Sequence, residues 1–332
     1  MKKVIPILLV LLAVGVAGFF GVRYVRQRDA KELPDTAGTV VHIPVTPTRA
    51  PTLDEVELPE IQNILLLGVD NDNPNSIEEQ ANSDGIMLVT IQAKNKELIF
   101  TSFLRDTRVR VNDSYYDKLT NVFHEGGVEA LYQALDDNFG VRPDYYAQFN
   151  YVDVAEIVDA VGGVEVELDP AEIVEMENKI INICWMLGAD YEQNKLSYDD
   201  AGPITLNGIQ AAAYMRIRPG FGDYDFGRTQ RARRVVSTIL DKVSKMSRSD
   251  MLAFADRFYS KAKTDVPEDL LLLYRMHEEE VRDFARVSDR IPIDGSYESG
   301  NTGSGYYVVP DLEVNAKHLR ESLYEGKHDN LE

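Results

Sequence analysis

Two apolar β-type runs, Ile86–Ile91 and Leu98–Leu104, are joined by a short link built on Ala93-Lys94-Asn95-Lys96. So short a link suits an antiparallel hairpin. A turn centred on Lys94 and Asn95 pairs Ile91 with Leu98 and Ile86 with Phe103. Carried just beyond the strand ends, the same register sets Asp84 opposite Arg105. Asp70 follows a third apolar run, Ile64–Val69, and should join them, because α/β sheets bind ligands in crevices at their strand ends. Asp70 and Asp84 then suit one hard cation, Mg²⁺ or Mn²⁺, which takes one or two carboxylates together with phosphate oxygens and water. Two loop aspartates making turns are the alternative.

Further strand-like runs at Tyr146–Phe149 and Val164–Leu168 alternate with helical periodicity at Val128–Phe139, Asp153–Val161 and Arg228–Val243. The pattern predicts an α/β fold with a single central sheet, mainly antiparallel or mixed, flanked by helices. Gly162-Gly163 ends one helix and begins the next strand, as a glycine C-cap should. Nothing after Glu60 reads as a linker, repeat or low-complexity tract, so 61–332 is taken as one domain of roughly 270 residues. Cys184, the single cysteine, lies beside Trp185 in an apolar stretch and reads as core.

Ahead of that domain, after a stub at 1–3, Val4–Val22 is an unbroken apolar run without charge. It is long enough to cross a bilayer as a helix. It reads as a transmembrane signal anchor over a cleaved signal peptide, since it ends in Phe19-Phe20-Gly21-Val22-Arg23 with no small-x-small cleavage site. Residues 23–60, with Pro34, Pro44, Pro47, Pro51 and Pro59, read as a tether. Taken alone, Arg23, Arg26, Arg28 and Lys31 favour a cytoplasmic C-terminal side.

The formal net charge is -20, yet Tyr214–Arg234 holds six arginines. Arg228, Arg231, Arg233 and Arg234 fall in the first turns of the helix continued by Val235, Val236, Ile239, Leu240 and Val243. Cations there oppose the helix dipole at about 0.3–1 kcal/mol each. A phosphate would reverse that balance by meeting free backbone N–H groups and guanidinium forks together. Asp225 stands where an N-cap would. Arg216 and Arg218 are two apart and share a face if the chain is extended, while Arg228 and Arg231 are three apart on one helical face. A solvated basic face paired with the chain's own carboxylates is the bland alternative.

Tyr-x-Arg-x-Arg followed by Asp-Phe-Gly-Arg-x-x-Arg resembles the signature of the LytR-CpsA-Psr family of cell-wall glycopolymer transferases. ILLLGVD at Ile64–Asp70, Ser83-Asp84, FLRDT at Phe103–Thr107, KLTNVFHEGG at Lys118–Gly127, YVDVAEIVDAVGGVEV at Tyr151–Val166 and LNGIQAAAY at Leu206–Tyr214 resemble its other blocks, in order. YYVVPD at Tyr306–Asp311 looks like its closing strand. The resemblance implies an extracytoplasmic domain on a single membrane pass in a Gram-positive-type envelope. It implies transfer of a glycan phosphate, such as teichoic acid or capsule, from undecaprenyl pyrophosphate to peptidoglycan. It further implies Mg²⁺ held by Asp70 and Asp84, and a pyrophosphate gripped by Arg105, Arg216, Arg218, Arg228 and Arg231.

Arg105, Asp106 and Asp225 are the catalytic candidates, with Asp106 either accepting a proton or orienting Arg105. Ala232 replaces the family's usual glutamine and Gly85 its usual threonine. Ile180–Leu187 and Leu270–Tyr274 offer apolar linings for a lipid chain, or ordinary core. A DNA-binding attenuator is the rival class, along with a non-catalytic binder of polyprenyl phosphate or glycan. With 55 acidic against 35 basic residues, the chain lacks the basic excess that nucleic-acid backbones require.

Overall fold

The computed structural model describes residues 57–70, 82–113, 115–217, 226–243, 245–247, 249–250, 253–254, 262–267, 269–270, 273–274, 277–281, 283–302 and 305–328. The stub, the apolar run Val4–Val22 and nearly all of the tether lie outside those residues. Among the described residues no helix is long and apolar enough to cross a membrane.

In chain order the elements are β1 (Ile61–Asp70), β2 (Asn82–Gln92), β3 (Glu97–Phe103), β4 (Arg108–Arg110), β5 (Tyr116–Lys118), α1 (Leu119–Phe139), β6 (Tyr145–Asn150), α2 (Tyr151–Ala160) and β7 (Val164–Leu168). There follow α3 (Pro170–Leu187), β8 (Gly202–Leu206), α4 (Gly208–Arg216), α5 (Phe226–Val243), β9 (Lys263–Thr264), α6 (Glu278–Val281), β10 (Ala285–Ile291), β11 (Tyr297–Thr302), β12 (Gly305–Pro310) and α7 (Leu312–Glu325).

Six strands form a mixed sheet in the order β10-β3-β2-β1-β6-β9. β2 runs antiparallel to both β1 and β3, while β6 is parallel to β1 and β10 parallel to β3. The expected hairpin register holds, with Ile86 opposite Phe103 and Ile91 opposite Leu98. Alternation along β1 divides its side chains between two layers. Leu65, Leu67 and Val69 pack with Leu131 and Leu135 of α1 and Leu319 of α7. Ile64 and Leu66 join the other core, which holds Val158, Ile180, Ala212 and Val235 from α2, α3, α4 and α5. Both faces of the sheet are therefore covered, which explains why its central strands read as near-continuous apolar runs.

Three features depart from the expectation. Val164–Leu168 is a strand, but it pairs with β8 in a separate two-stranded ladder. Its strict alternation, with Val164, Val166 and Leu168 buried and Glu165 and Glu167 exposed, is that of a ribbon with one wet face. Helix α1 begins nine residues before the predicted Val128, and Gly127 kinks it at φ 66°. Glycine takes that positive φ without the steric cost that other residues would meet. Helix α3 spans the run Ile180–Leu187, capped by Asp169 with Glu172 and ended by Gly188 at φ 63°. Within it Ile180, Ile183 and Cys184 are core, whereas Trp185 is 83% exposed.

The Leu206–Tyr214 block has a packing reason. A Cβ on Gly208 would lie 2.0 Å from the Ala155 carbonyl oxygen, so α4 starts hard against α2. The Gly208 N–H donates to Asp159 Oδ1 at 2.7 Å. Asn207 caps the helix reciprocally with Gln210. This seats Tyr214 in the core and delivers Arg216 to the end of the helix.

Candidate functional site

Pairing between β1 and β2 slips at one point: Gly68 lies opposite Gly85, but Val69 lies opposite Ser83. Asp84 is the extra residue of that bulge, and bulges re-aim a side chain away from the regular pleat. Its carboxylate meets Arg105, whose Nη1 donates to Oδ1, and Tyr151, whose hydroxyl donates to Oδ2 at 3.2 Å. Tyr151 is the first residue of α2, whose start is fixed by a capping box between Asn150 and Asp153. Asn150 in turn pairs with Val69. The carboxyl ends of the parallel strands β1 and β6 and the amino end of β2 thus bring Asp70, Tyr151 and Asp84 to one end of the sheet.

Arg216 completes this group by laying its guanidinium over the Tyr151 ring, 4.3 Å from the centroid. The condition under which Arg216 and Arg218 would share a face, an extended chain, is not met at Arg216, which is the last residue of α4, with extended backbone resuming at Ile217. Helical geometry aims Arg216 back across the α2 terminus.

The segment that carries Arg105 is fastened at several points. The Leu119 and Thr120 N–H groups, unsatisfied within α1 because they lie in its first turn, donate to the carbonyls of Thr107 (3.1 Å) and Arg105 (3.1 Å). Val308 N–H donates to the Asp106 carbonyl at 3.0 Å. Asp106 Oδ1 accepts from Lys118 Nζ at 2.8 Å, and its Oδ2 is 3.7 Å from Arg105 Nε. Lys118 also lies over the Tyr307 ring, 5.1 Å from its centroid. Asp106, 8% exposed, therefore stands between two cations. That placement suits holding Arg105 and Lys118 in position better than accepting a proton.

Asp84, Arg105, Asp106 and Arg216 are thus brought together. Arg231 is buried and turned elsewhere: Nη1 meets Glu172 Oε1 at 3.3 Å and Nη2 donates to the Ile217 carbonyl at 2.8 Å, tying α5 to α3 and to the residue after Arg216. Arg218 and Asp225 lie outside the described residues, and Asp70 and Arg228 are described only in their backbone. Asp70 is paired with Asn82, two positions before Asp84 in the chain, so the two acids leave neighbouring strands at the same end. Two carboxylates leaving the same end of neighbouring strands are the donor type that a hard cation takes.

From Asp84 a cleft opens into the layer between the sheet and helices α2 and α5. Its empty space, counting the open mouth, is about 1270 Å³. Apart from Asp84, Ser102 and Asn150 near the strand ends, its lining is apolar or aromatic, with Phe100, Phe149, Val154, Met215, Val236 and Ile239 among it. Among the described residues, neither Ile180–Leu187 nor Leu270–Tyr274, read as lipid lining or ordinary core, contributes. Gly85 and Ala232 both do. Sequence reasoning assigned no role to Tyr151 or Lys118, although both lie in the blocks that carry the resemblance.

Known proteins resemble this chain in sequence and in fold. The LytR_cpsA_psr family model matches residues 37–321. The polyisoprenyl-teichoic acid–peptidoglycan teichoic acid transferase TagU of Bacillus cereus (strain ZK / E33L) is 29% identical over 263 residues, 78% of this chain and 77% of the relative. TagV of Bacillus subtilis (strain 168), described by the same activity, is 24% identical over 268 residues, 79% of this chain and 64% of the relative. Among solved structures, TagT bound to LIIa-WTA superposes with a TM-score of 0.60 at 23% identity, covering 85% of this chain and 99% of that one. These structures share the fold.

Proposed function

This chain belongs to the LytR_cpsA_psr family, and we propose that it is a phosphotransferase moving a glycan phosphate from undecaprenyl pyrophosphate to a hydroxyl of peptidoglycan. The relatives named as teichoic acid transferases support a glycopolymer as cargo. The observation that carries the reading is continuity: an apolar cleft runs into a group of two arginines and a bulged carboxylate. A polyprenyl diphosphate has that polarity along its length.

In the proposed step the acceptor oxygen attacks the glycan-bearing phosphorus, and the bond from that phosphorus to the bridging oxygen breaks. The lipid phosphate leaves with the bond's electrons, and the hydroxyl proton passes to solvent. No protein nucleophile is required. Charge on the diphosphate is met by Arg105 and Arg216, as phosphoryl transfer asks of its surroundings. Tyr151 holds Arg216 on its ring and Asp84 on its hydroxyl, while Asp106 keeps Arg105 and Lys118 in place. Asp70 and Asp84 are the residues that would hold Mg²⁺ or Mn²⁺, which when bound would neutralise charge on the diphosphate oxygens. Arg218 and Arg228 belong to the same diphosphate grip in this proposal, and Asp225 stays a catalytic candidate.

The apolar run Val4–Val22 supports single-pass anchoring, and the family resemblance, against the flanking Arg23, Arg26, Arg28 and Lys31, supports a catalytic domain outside the cell. The attenuator reading fares worse, because a formal net charge of -20 repels a nucleic-acid backbone. The deciding experiment incubates the full chain with a lipid-linked glycan donor and a peptidoglycan oligomer. Glycan linked to the oligomer through a phosphodiester is the expected product. Free glycan phosphate alone would make the protein a hydrolase, and unchanged donor would make it a binder.

A further inference from the structure

Beside the reacting group lies a second cationic surface, whose Arg108 and Arg110 the step above does not use. Strands β4 and β5 pair Arg108 with Lys118 and Arg110 with Tyr116. Val109 and the Asp117 carboxylate occupy the inner face, 0% and 6% exposed. Alternation then turns Arg108, Arg110, Tyr116 and Lys118 to the outer face together. Arg108 lies over the Tyr116 ring at 4.8 Å from its centroid. Both arginines are exposed, and among the described residues neither forms an ion pair. In a chain with 55 acidic residues that is a selective concentration of cations.

The ribbon is also rigid. Asn138 of α1 accepts from the Arg110 N–H and donates to the Arg110 carbonyl, both at 2.8 Å. Asp117 accepts from the Tyr115 hydroxyl, from Asn121 Nδ2 at 2.8 Å and from the Lys118 N–H at 2.7 Å. The phenol pKa of Tyr115 is accordingly pushed up to about 12 by that hydrogen bond to Asp117. A surface held this firmly loses little freedom when a ligand settles on it.

We infer that the outer face of β4–β5 is a binding subsite for the anionic glycan chain of the donor, taking its phosphate groups on Arg108 and Arg110. This rests on the donor proposed above. Lys118 links the two regions, since it stands opposite Arg108 and bonds Asp106, the neighbour of Arg105. Lipid cleft, diphosphate group and cationic ribbon thus follow one another in the order of a lipid, a diphosphate and a charged polymer. Planar guanidiniums suit repeated phosphates by bidentate contact. A molecule of strong negative charge needs such a local positive face to hold a polyanion.

The test is binding, which needs no turnover. Full-length protein in detergent micelles is titrated calorimetrically with soluble poly(glycerol phosphate), with neutral dextran and with soluble peptidoglycan fragments. Arg108→Gln/Arg110→Gln should weaken poly(glycerol phosphate) binding at least about tenfold and flatten its salt dependence, leaving the other probes unchanged. The double Lys variant should recover part of the loss. An unaltered thermal midpoint shows that the ribbon stays folded. The inference is overturned if the Gln variant binds poly(glycerol phosphate) like wild type, if wild type does not bind it, or if only peptidoglycan binding falls. Arginine-dependent polymer binding by a protein that transfers nothing would uphold the subsite while defeating the transferase reading.

Discussion

Asp84, the extra residue of the β1–β2 bulge, forms an ion pair with Arg105, which lies just past the end of β3. Neither side chain is more than 17% exposed, so each orders the other in a poorly solvated place. Asp84→Asn and Arg105→Ala should each lower transfer by about 10²–10³, the loss typical of one electrostatic contact to a transition state. Arg105→Lys should recover only part, because lysine keeps the charge and loses the fork. Since the residues act as a unit, the double variant should lose much less than the sum of the two losses. Single-turnover rates with saturating donor are the measurement, and full activity in either single variant would place the reaction elsewhere.

Tyr151 does two separable things: its hydroxyl holds Asp84 and its ring carries Arg216. Tyr151→Phe removes one hydrogen bond, worth roughly 0.5–1.5 kcal/mol. It should therefore cost about tenfold or less in kcat/KM. Tyr151→Leu also removes the cation–π contact, a further ~0.5–2 kcal/mol, and should be clearly worse. Equal losses in both variants would mean that the ring does not position Arg216.

Much of this site was readable because the β2–β3 link is too short to allow a choice of register. Once Ile91 pairs with Leu98, Asp84 must approach Arg105. The bulge at Asp84 was not readable, since one extra residue leaves no mark on an apolar pattern. Arg216 shows a different limit. Its spacing from Arg218 says nothing of whether α4 has already ended, and the helix runs through Arg216. The cleft was invisible for a third reason: its lining comes from strands β1, β2, β3 and β6 and helices α2, α4 and α5, and periodicity gives the face of each element without its seat on the sheet.

Away from the site, His318 on α7 places Nε2 3.1 and 2.9 Å from the two oxygens of Asp289 on β10. The hydrogen bond to Asp289 raises the imidazole pKa, burial opposes that shift, and the charges of Asp289 and Glu321 add to the rise. A raised folded pKa means that the pair's stabilisation is fully present below the unfolded value of about 6.5. It is lost as pH rises through the folded value. The gap in thermal midpoint between wild type and His318→Gln should therefore narrow as pH rises above neutrality. A gap that is constant or widens would show that the imidazole is not charged in the folded protein.

The cleft gives the remaining prediction, and it separates lipid recognition from chemistry. Val236 lies on α5 and lines the cleft while remaining partly exposed, so a larger side chain there enters open space in place of packed core. The cost to the fold should fall at or below the low end of the ~1–3 kcal/mol usual for overpacking. Val236→Trp should then raise KM for a donor with a full-length polyprenyl chain, because apolar area that the chain would bury, at roughly 25 cal/mol per Å², is already covered. A donor with a short prenyl chain leaves that part of the cleft unfilled and should be turned over as by wild type. The reacting group at Asp84 and Arg105 is untouched, so kcat should hold for both donors. If Val236→Trp slows both donors alike, or neither, the lipid lies outside this cleft, and the continuity between cleft and arginines no longer explains the activity.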